Sequence, residues 1–228
     1  SVTWIAERKD VLYTFFFLSS LILYLKYSKS KKVWLYLVTL FIFILSLLSK
    51  GMAVTLPVIM LLMDYFTGRK LELKVWLEKI PFFLLSVTFG IIALKIQNEG
   101  AIAAFGTFTL FQRIMFASYA AVMYLVKLFI PLNLSAFYPY PVTDKNGIIP
   151  TLFYLMPFIF IAVASVTIWS MKKGKLLFFG FAFYFVSVAL VLQLISVGSA
   201  IMADRYTYVA YIGPFFVIAS LLQNVFET

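Results

Sequence analysis

The chain has 228 residues, 64% hydrophobic and 12% charged, with a formal charge of +10; soluble domains run near half apolar and a quarter charged, and a fold this small cannot bury such an excess, so its solvent is lipid. Neither Cys nor His occurs, which excludes Ser-His-Asp and Cys-His nucleophiles, the usual zinc sites, haem, iron–sulfur clusters and disulfides. The basic residues sit in short clusters between apolar runs, as in cytoplasmic loops of a membrane protein, and form no stripe suited to nucleic acid.

The first apolar run, Val11 to Leu25, lies between Glu7-Arg8-Lys9-Asp10 and the cluster Lys26, Lys29, Lys31, Lys32. From Val33 to Phe66 only Lys50 and Asp64 interrupt the apolar sequence. A helix of that length would reach about 51 Å, far beyond one bilayer core, so two spans are predicted, turning at Ser49-Lys50-Gly51, with Pro57 kinking the second. A charged stretch, Thr67 to Lys79, follows. Ile80 to Ile96, Ile148 to Met171, Leu176 to Val197 and Tyr208 to Leu222 complete a predicted all-α bundle of seven spans in one membrane-embedded unit. The Lys/Arg-rich loops at 26–32, 67–79 and 172–175 fall on one side by alternation, and that side is expected to be cytoplasmic. The N-terminal end, the Lys50 turn, the 97–149 region and the 199–207 loop then face outward, with the C-terminal end inside. An eighth crossing at Phe111 to Pro131 would invert the last loops, so this segment is expected to lie in the outer interface. Arg113, Ala117, Ala120, Tyr124 and Lys127 share one of its faces. The opening at Ser1, with no Met and no basic leader, reads as an internal piece of a longer protein.

Charges near a membrane core are costly and invite a functional reading. Glu7 and Asp10 stand one helical turn apart at the start of the first span. They are read either as an interfacial cap paired with Arg8 and Lys9 or as acid/base or metal-binding carboxylates. Asp204-Arg205-Tyr206-Thr207-Tyr208 offers a planar cation for phosphate with Tyr hydroxyls beside it, or an aromatic belt with a snorkelling Arg. Phe137-Tyr138-Pro139-Tyr140-Pro141 cannot be regular helix and is read as a rigid, extended, aromatic loop on the membrane. Lys50, Arg113 and Lys127 are cations able to meet an anionic head group. Asp64-Tyr65, beside Arg69 and Lys70, is assigned to topology and helix termination alone.

In order along the chain stand Trp4-Ile5-Ala6-Glu7-Arg8-Lys9-Asp10, Ser49-Lys50-Gly51-Met52 through Pro57 to Asp64-Tyr65-Phe66, Phe137-Tyr138-Pro139-Tyr140-Pro141 and Ala203-Asp204-Arg205-Tyr206-Thr207-Tyr208. This series resembles the membrane region of bacterial TPR-containing polytopic proteins related to the transmembrane-and-TPR (TMTC) protein O-mannosyltransferases, within the GT-C class of glycosyltransferases. The resemblance implies a bacterial inner-membrane enzyme that moves a sugar from a polyprenyl-phosphate carrier to an extracytoplasmic acceptor, a protein Ser/Thr hydroxyl. The first outer acidic loop and the TPR repeats of that family are not in this sequence, and the piece alone is expected to be inactive. The resemblance places Glu7 and Asp10 at the reacting centre or at a divalent metal. From charge and sidedness, Arg205 with Arg113, Lys127 and Lys50 is read as the donor-phosphate clamp, and Tyr138, Tyr140, Asp204, Tyr206 and Tyr208 as a substrate loop. Two rivals are a non-catalytic membrane anchor for a TPR domain and a transporter or flippase subunit. A transporter would carry charges within the spans and paired half-repeats, whereas here the charges cluster at span ends.

Overall fold

The structure, a computed structural model, describes residues 8–101 (side chains to residue 96), 108–141, 149–192, 194 and 200–227. Apart from one two-stranded ladder it is helical: α1 Arg8–Ser30, α2 Val33–Ser49, α3 Leu56–Phe66, α4 Leu73–Leu77, α5 Ile80–Ala101, α6 Leu110–Phe129, α7 Thr151–Ser170, α8 Lys175–Val188 and α9 Ile212–Phe226, with strands β1 Tyr138–Pro139 and β2 Ala200–Met202. Among the described residues, three segments are long and apolar enough to cross a membrane: Arg8–Ser30, Leu73–Ile96 and Thr151–Ser170. Apolar side chains that a soluble protein would cover stand open, among them Phe15, Leu48, Val33 and Phe158, as expected of a surface solvated by lipid. The chain divides into two compact units, Ser1–Ile96 and Gln97–Thr228.

In the first unit α1 and α2 form an antiparallel hairpin. Tyr13, Phe17, Leu21 and Tyr24 recur at helical spacing and are buried, as are Leu35, Phe43 and Leu47 of α2. Two hydroxyls cross the seam: Ser46 Oγ donates to the Tyr13 carbonyl at 3.1 Å and Ser20 Oγ to the Thr39 carbonyl at 3.2 Å. Small polar residues of this kind are the usual means of locking helices together where lipid supplies no hydrophobic drive. Phe82 of α5 closes the bundle against Tyr36 and Phe43, its ring centre 5.6 Å from each.

The turn expected at Ser49-Lys50-Gly51 is present: α2 ends at Ser49 and a 3₁₀ segment, Gly51–Thr55, follows. Pro57 does not kink a helix. It sits in the first turn of α3, where its missing N–H has no helical partner to lose. The first and fourth spans are longer than their apolar runs, because α1 continues through Lys26 and Lys29 to Ser30 and α5 runs on to Ala101.

In the second unit, two predicted spans are regular α-helix over only part of their described length; positions 193 and 195–197 of the first lie outside the described residues. The Leu176–Val197 run ends as α-helix at Val188 and passes into a 3₁₀ turn, Ala189–Val191. The Tyr208–Leu222 run starts as helix only at Ile212, after a 3₁₀ turn over Asp204–Thr207. The α-helical parts, 14 and 15 residues, are about 21–23 Å long, each adjoined by a 3₁₀ turn. They pack at close range through Gly180 and Gly213. A Cβ on Gly180 would lie 2.2 Å from Val217 Cγ2, and one on Gly213 would lie 2.2 Å from the Gly180 carbonyl oxygen. Glycine is required there by contact between backbones.

The α6 helix forms over the predicted segment, started by a capping box in which Thr109 Oγ1 accepts from Gln112 N–H at 3.3 Å and the Gln112 side chain accepts from Thr109 N–H at 2.9 Å. The face that carries the two cations is packed against protein: Ala117, Ala120, Tyr124 and Lys127 are buried, and beside it Phe116 meets Phe153 of α7 edge-on while Tyr119 lies tilted against the same ring. The two alanines let a neighbouring helix approach, so the face read as interfacial is a packing face.

Candidate functional site

The hairpin register sets the first polar site. Because α1 and α2 run antiparallel, Asp10 in the first turn of α1 meets Lys50 just past the end of α2, and Lys50 Nζ donates to Asp10 Oδ1 in an ion pair. Asp10 is 6% exposed, and its Oδ2 is buried with no hydrogen-bond partner among the described residues. A buried carboxylate oxygen without a donor is costly in a finished core, which sets Asp10 apart from a fully satisfied carboxylate. Glu7, its predicted partner, lies outside the described residues, as do Asp144 and Lys145. Among the described residues no three acidic side chains converge.

The second site is in the other unit, where the structure brings two predicted motifs together. β1 and β2 pair antiparallel, Tyr138 opposite Met202 and Pro139 opposite Ala200, which sets the aromatic-proline loop beside Asp204. Asp204 Oδ2 accepts from Ser135 N–H at 2.6 Å and lies 2.8 Å from Tyr138 Oη. Burial, opposed by the Lys127 ammonium and reinforced by the Asp204 carboxylate, raises the Tyr138 phenol above its ordinary pKa, so it remains a donor at neutral pH. Lys127 donates to the Leu132 and Asn133 carbonyls at 3.0 and 3.1 Å and stands 4.7 Å from the centre of the Tyr138 ring. Lys127 and Asp204 are thereby committed to holding the loop.

Behind the loop, tyrosines do the tying: Tyr124 Oη accepts from Ala203 N–H at 3.0 Å, Tyr211 Oη donates to the Tyr124 carbonyl at 2.6 Å, and Tyr184 Oη donates to the Ala121 carbonyl at 2.5 Å. Tyr140 packs its ring on Phe108 and Phe116 at 4.8 and 5.3 Å. Of the remaining predicted residues, Arg205 is half-buried over the Tyr206 ring at 5.3 Å, Tyr208 is exposed, and Arg113 donates its Nε–H to the Phe108 carbonyl at 3.2 Å.

The third site was assigned no function by sequence. Asp64, read as a helix terminator, is 1% exposed and Lys79, read as a loop cation, is 0% exposed. They pair at 2.5 Å. Tyr24 Oη donates to Asp64 Oδ2 at 2.6 Å, and Lys79 Nζ is 2.7 Å from Tyr24 Oη and donates to the Val75 carbonyl at 3.2 Å. Gly68 is the local cause. With φ of 76° it ends α3 in a Schellman turn, Arg69 N–H donating to the Asp64 carbonyl at 2.9 Å, which returns the Arg69 guanidinium to Asp64 Oδ1 at 3.5 Å. Arg69 also pairs with Glu78 at 2.6 Å, and Glu78 with Lys31 at 3.1 Å. Lys31 has φ of 55°, so the α1–α2 turn is what carries its ammonium to Glu78. One signal was legible beforehand: Asp64 is one of only two charges in the long apolar run from Val33 to Phe66.

No protein-family model, no curated protein and no solved structure matches this sequence.

Proposed function

We propose that this chain is the membrane region of a GT-C-type glycosyltransferase that moves a sugar from a polyprenyl-phosphate carrier to an extracytoplasmic hydroxyl, with seven crossings and its N-terminal end outside. The observation that supports the reading is the buried Asp10 carboxylate, one oxygen held by Lys50 and the other without a donor among the described residues. Such an oxygen accepts the proton of an acceptor hydroxyl while the lipid phosphate leaves with its own charge, so the reaction asks for a positioned base and for cations, and needs neither His nor Cys. Lys50 balances and orients Asp10.

The test is transfer of radiolabelled sugar from polyprenyl-phosphate donors in membranes carrying the full-length parent. Asp10→Asn and Arg205→Ala are expected to abolish transfer at unchanged expression. Unchanged transfer in Asp10→Asn discards the base, and unchanged transfer in Arg205→Ala discards the clamp. For topology, a cysteine replacing Lys145 is expected to label from outside intact cells and one replacing Lys173 is not; reversed labelling overturns the sidedness.

A second reading, a membrane anchor for a TPR domain, is favoured by one observation. Lys127 and Asp204, both candidate substrate residues, are engaged in fixing their own loop. Absence of transfer with every donor in the full-length parent selects it.

A further inference from the structure

At the Lys31 end of the first unit a cleft of about 450 Å³ opens between the α1–α2 turn and the segment leading into α4. Its cations are Lys31, Arg69, Lys70 and Lys74, against the carboxylates Glu72 and Glu78. Glu78 is already taken by Lys31 and Arg69. Lys70 and Lys74 are exposed and make no ion pair among the described residues, so the positive excess of the cleft rests on them. Directly beside them α4 turns apolar side chains outward, with Leu73, Trp76 and Leu77 at 75%, 47% and 53% exposure, while Val75 is buried. A cationic cleft and an open apolar rim with an indole next to it suit a molecule with an anionic head and apolar tails.

We infer that this cleft binds the head group of an anionic phospholipid, its phosphate held by Lys70 and Lys74 and its acyl chains lying over Leu73, Trp76 and Leu77. The head group is placed by geometry as well as charge. Arg69 and Lys31 are already paired with Glu78, so the exposed Lys70 and Lys74 are the groups left to close on a phosphate, each as a point charge with three donors. Glu72 lowers the net attraction and sets a limit on how many negative charges the cleft takes. The inference needs the chain to be membrane-embedded but does not rest on sugar transfer.

The experiment is competitive retention of phosphatidylglycerol against phosphatidylcholine, read by mass spectrometry on the full-length protein purified from mixed vesicles of the two. Wild type is expected to retain phosphatidylglycerol preferentially. Lys70→Gln/Lys74→Gln is expected to lose that preference by on the order of tenfold, and Glu72→Gln to strengthen it. Lys172→Gln/Lys173→Gln, in a separate basic loop, serves as control and is expected to keep it. The cleft is rejected if wild type shows no preference, or if the control loses as much as the cleft variant, which would assign the effect to overall charge. Loss of the bound lipid on adding inorganic phosphate at matched ionic strength would make the cleft a site for free anions and overturn the lipid assignment. Both lysine pairs are exposed and outside the core, and a matching thermal transition in wild type and variants shows that folding is not what is being read.

Discussion

The two ends of the first helical unit handle charge in opposite ways. At the Asp10 end the carboxylate pairs with Lys50, and its second oxygen has no donor among the described residues. At the other end two carboxylates, three cations and a phenol form a chain from Tyr24 through Asp64, Lys79, Arg69 and Glu78 to Lys31. In a low-dielectric setting a charge is tolerable when its hydrogen-bonding capacity is used up. The second end meets that condition and behaves as a structural rivet; the first does not, which makes it the better place to look for chemistry. The number of charges is a poor guide to function, and the unfilled acceptor is the more telling feature.

The largest test of this contrast is Asp64→Ala. It leaves the buried Lys79 ammonium without its counter-charge and is expected to cost about 3–5 kcal/mol, seen as loss of the folded species in detergent thermal melts. The comparison sharpens if both partners are removed: Asp64→Leu with Lys79→Met is expected to recover most of that loss, because two apolar side chains need no compensation. A double variant as unstable as the single one would mean that the network holds something besides its own charges. At the opposite end Asp10→Asn is expected to cost about 1 kcal/mol in the same melts, since the amide oxygen can still accept from Lys50 and only the charge is lost, while abolishing transfer in the full-length parent. A loss as large as that of Asp64→Ala would break the contrast and make Asp10 a rivet too. The smallest effect is expected of Lys31→Ala. Its side chain is 49% exposed, and an exposed ion pair contributes at most about 1 kcal/mol.

Much of the helical layout was legible because it follows from local chemistry. The turn at Lys50 follows from the length of the Val33–Phe66 run against the thickness of a bilayer, and the extended loop at Tyr138–Pro141 follows from the two prolines. Packing decided the rest. Leu176–Val197 carries no charge, and nothing in its composition marks Val188 as the end of the helix. The face of α6 with Arg113 and Lys127 at its ends looks amphipathic in sequence, yet its alanines and Tyr124 are turned inward. Asp64 and Lys79 stand 15 positions apart and each has the look of an ordinary span-end charge; only the Schellman turn at Gly68 and the return of the chain into α5 bring them into contact.

The sequence by itself determined the solvent, the helical class and the absence of His and Cys chemistry, because these depend on composition and on periodicity within one segment. It also placed charge at both ends of the first hairpin. The tertiary structure decided which of those charges are satisfied. A carboxylate's partners come from other helices, at separations that no local pattern encodes, and whether its last acceptor site is filled is a property of the packed bundle.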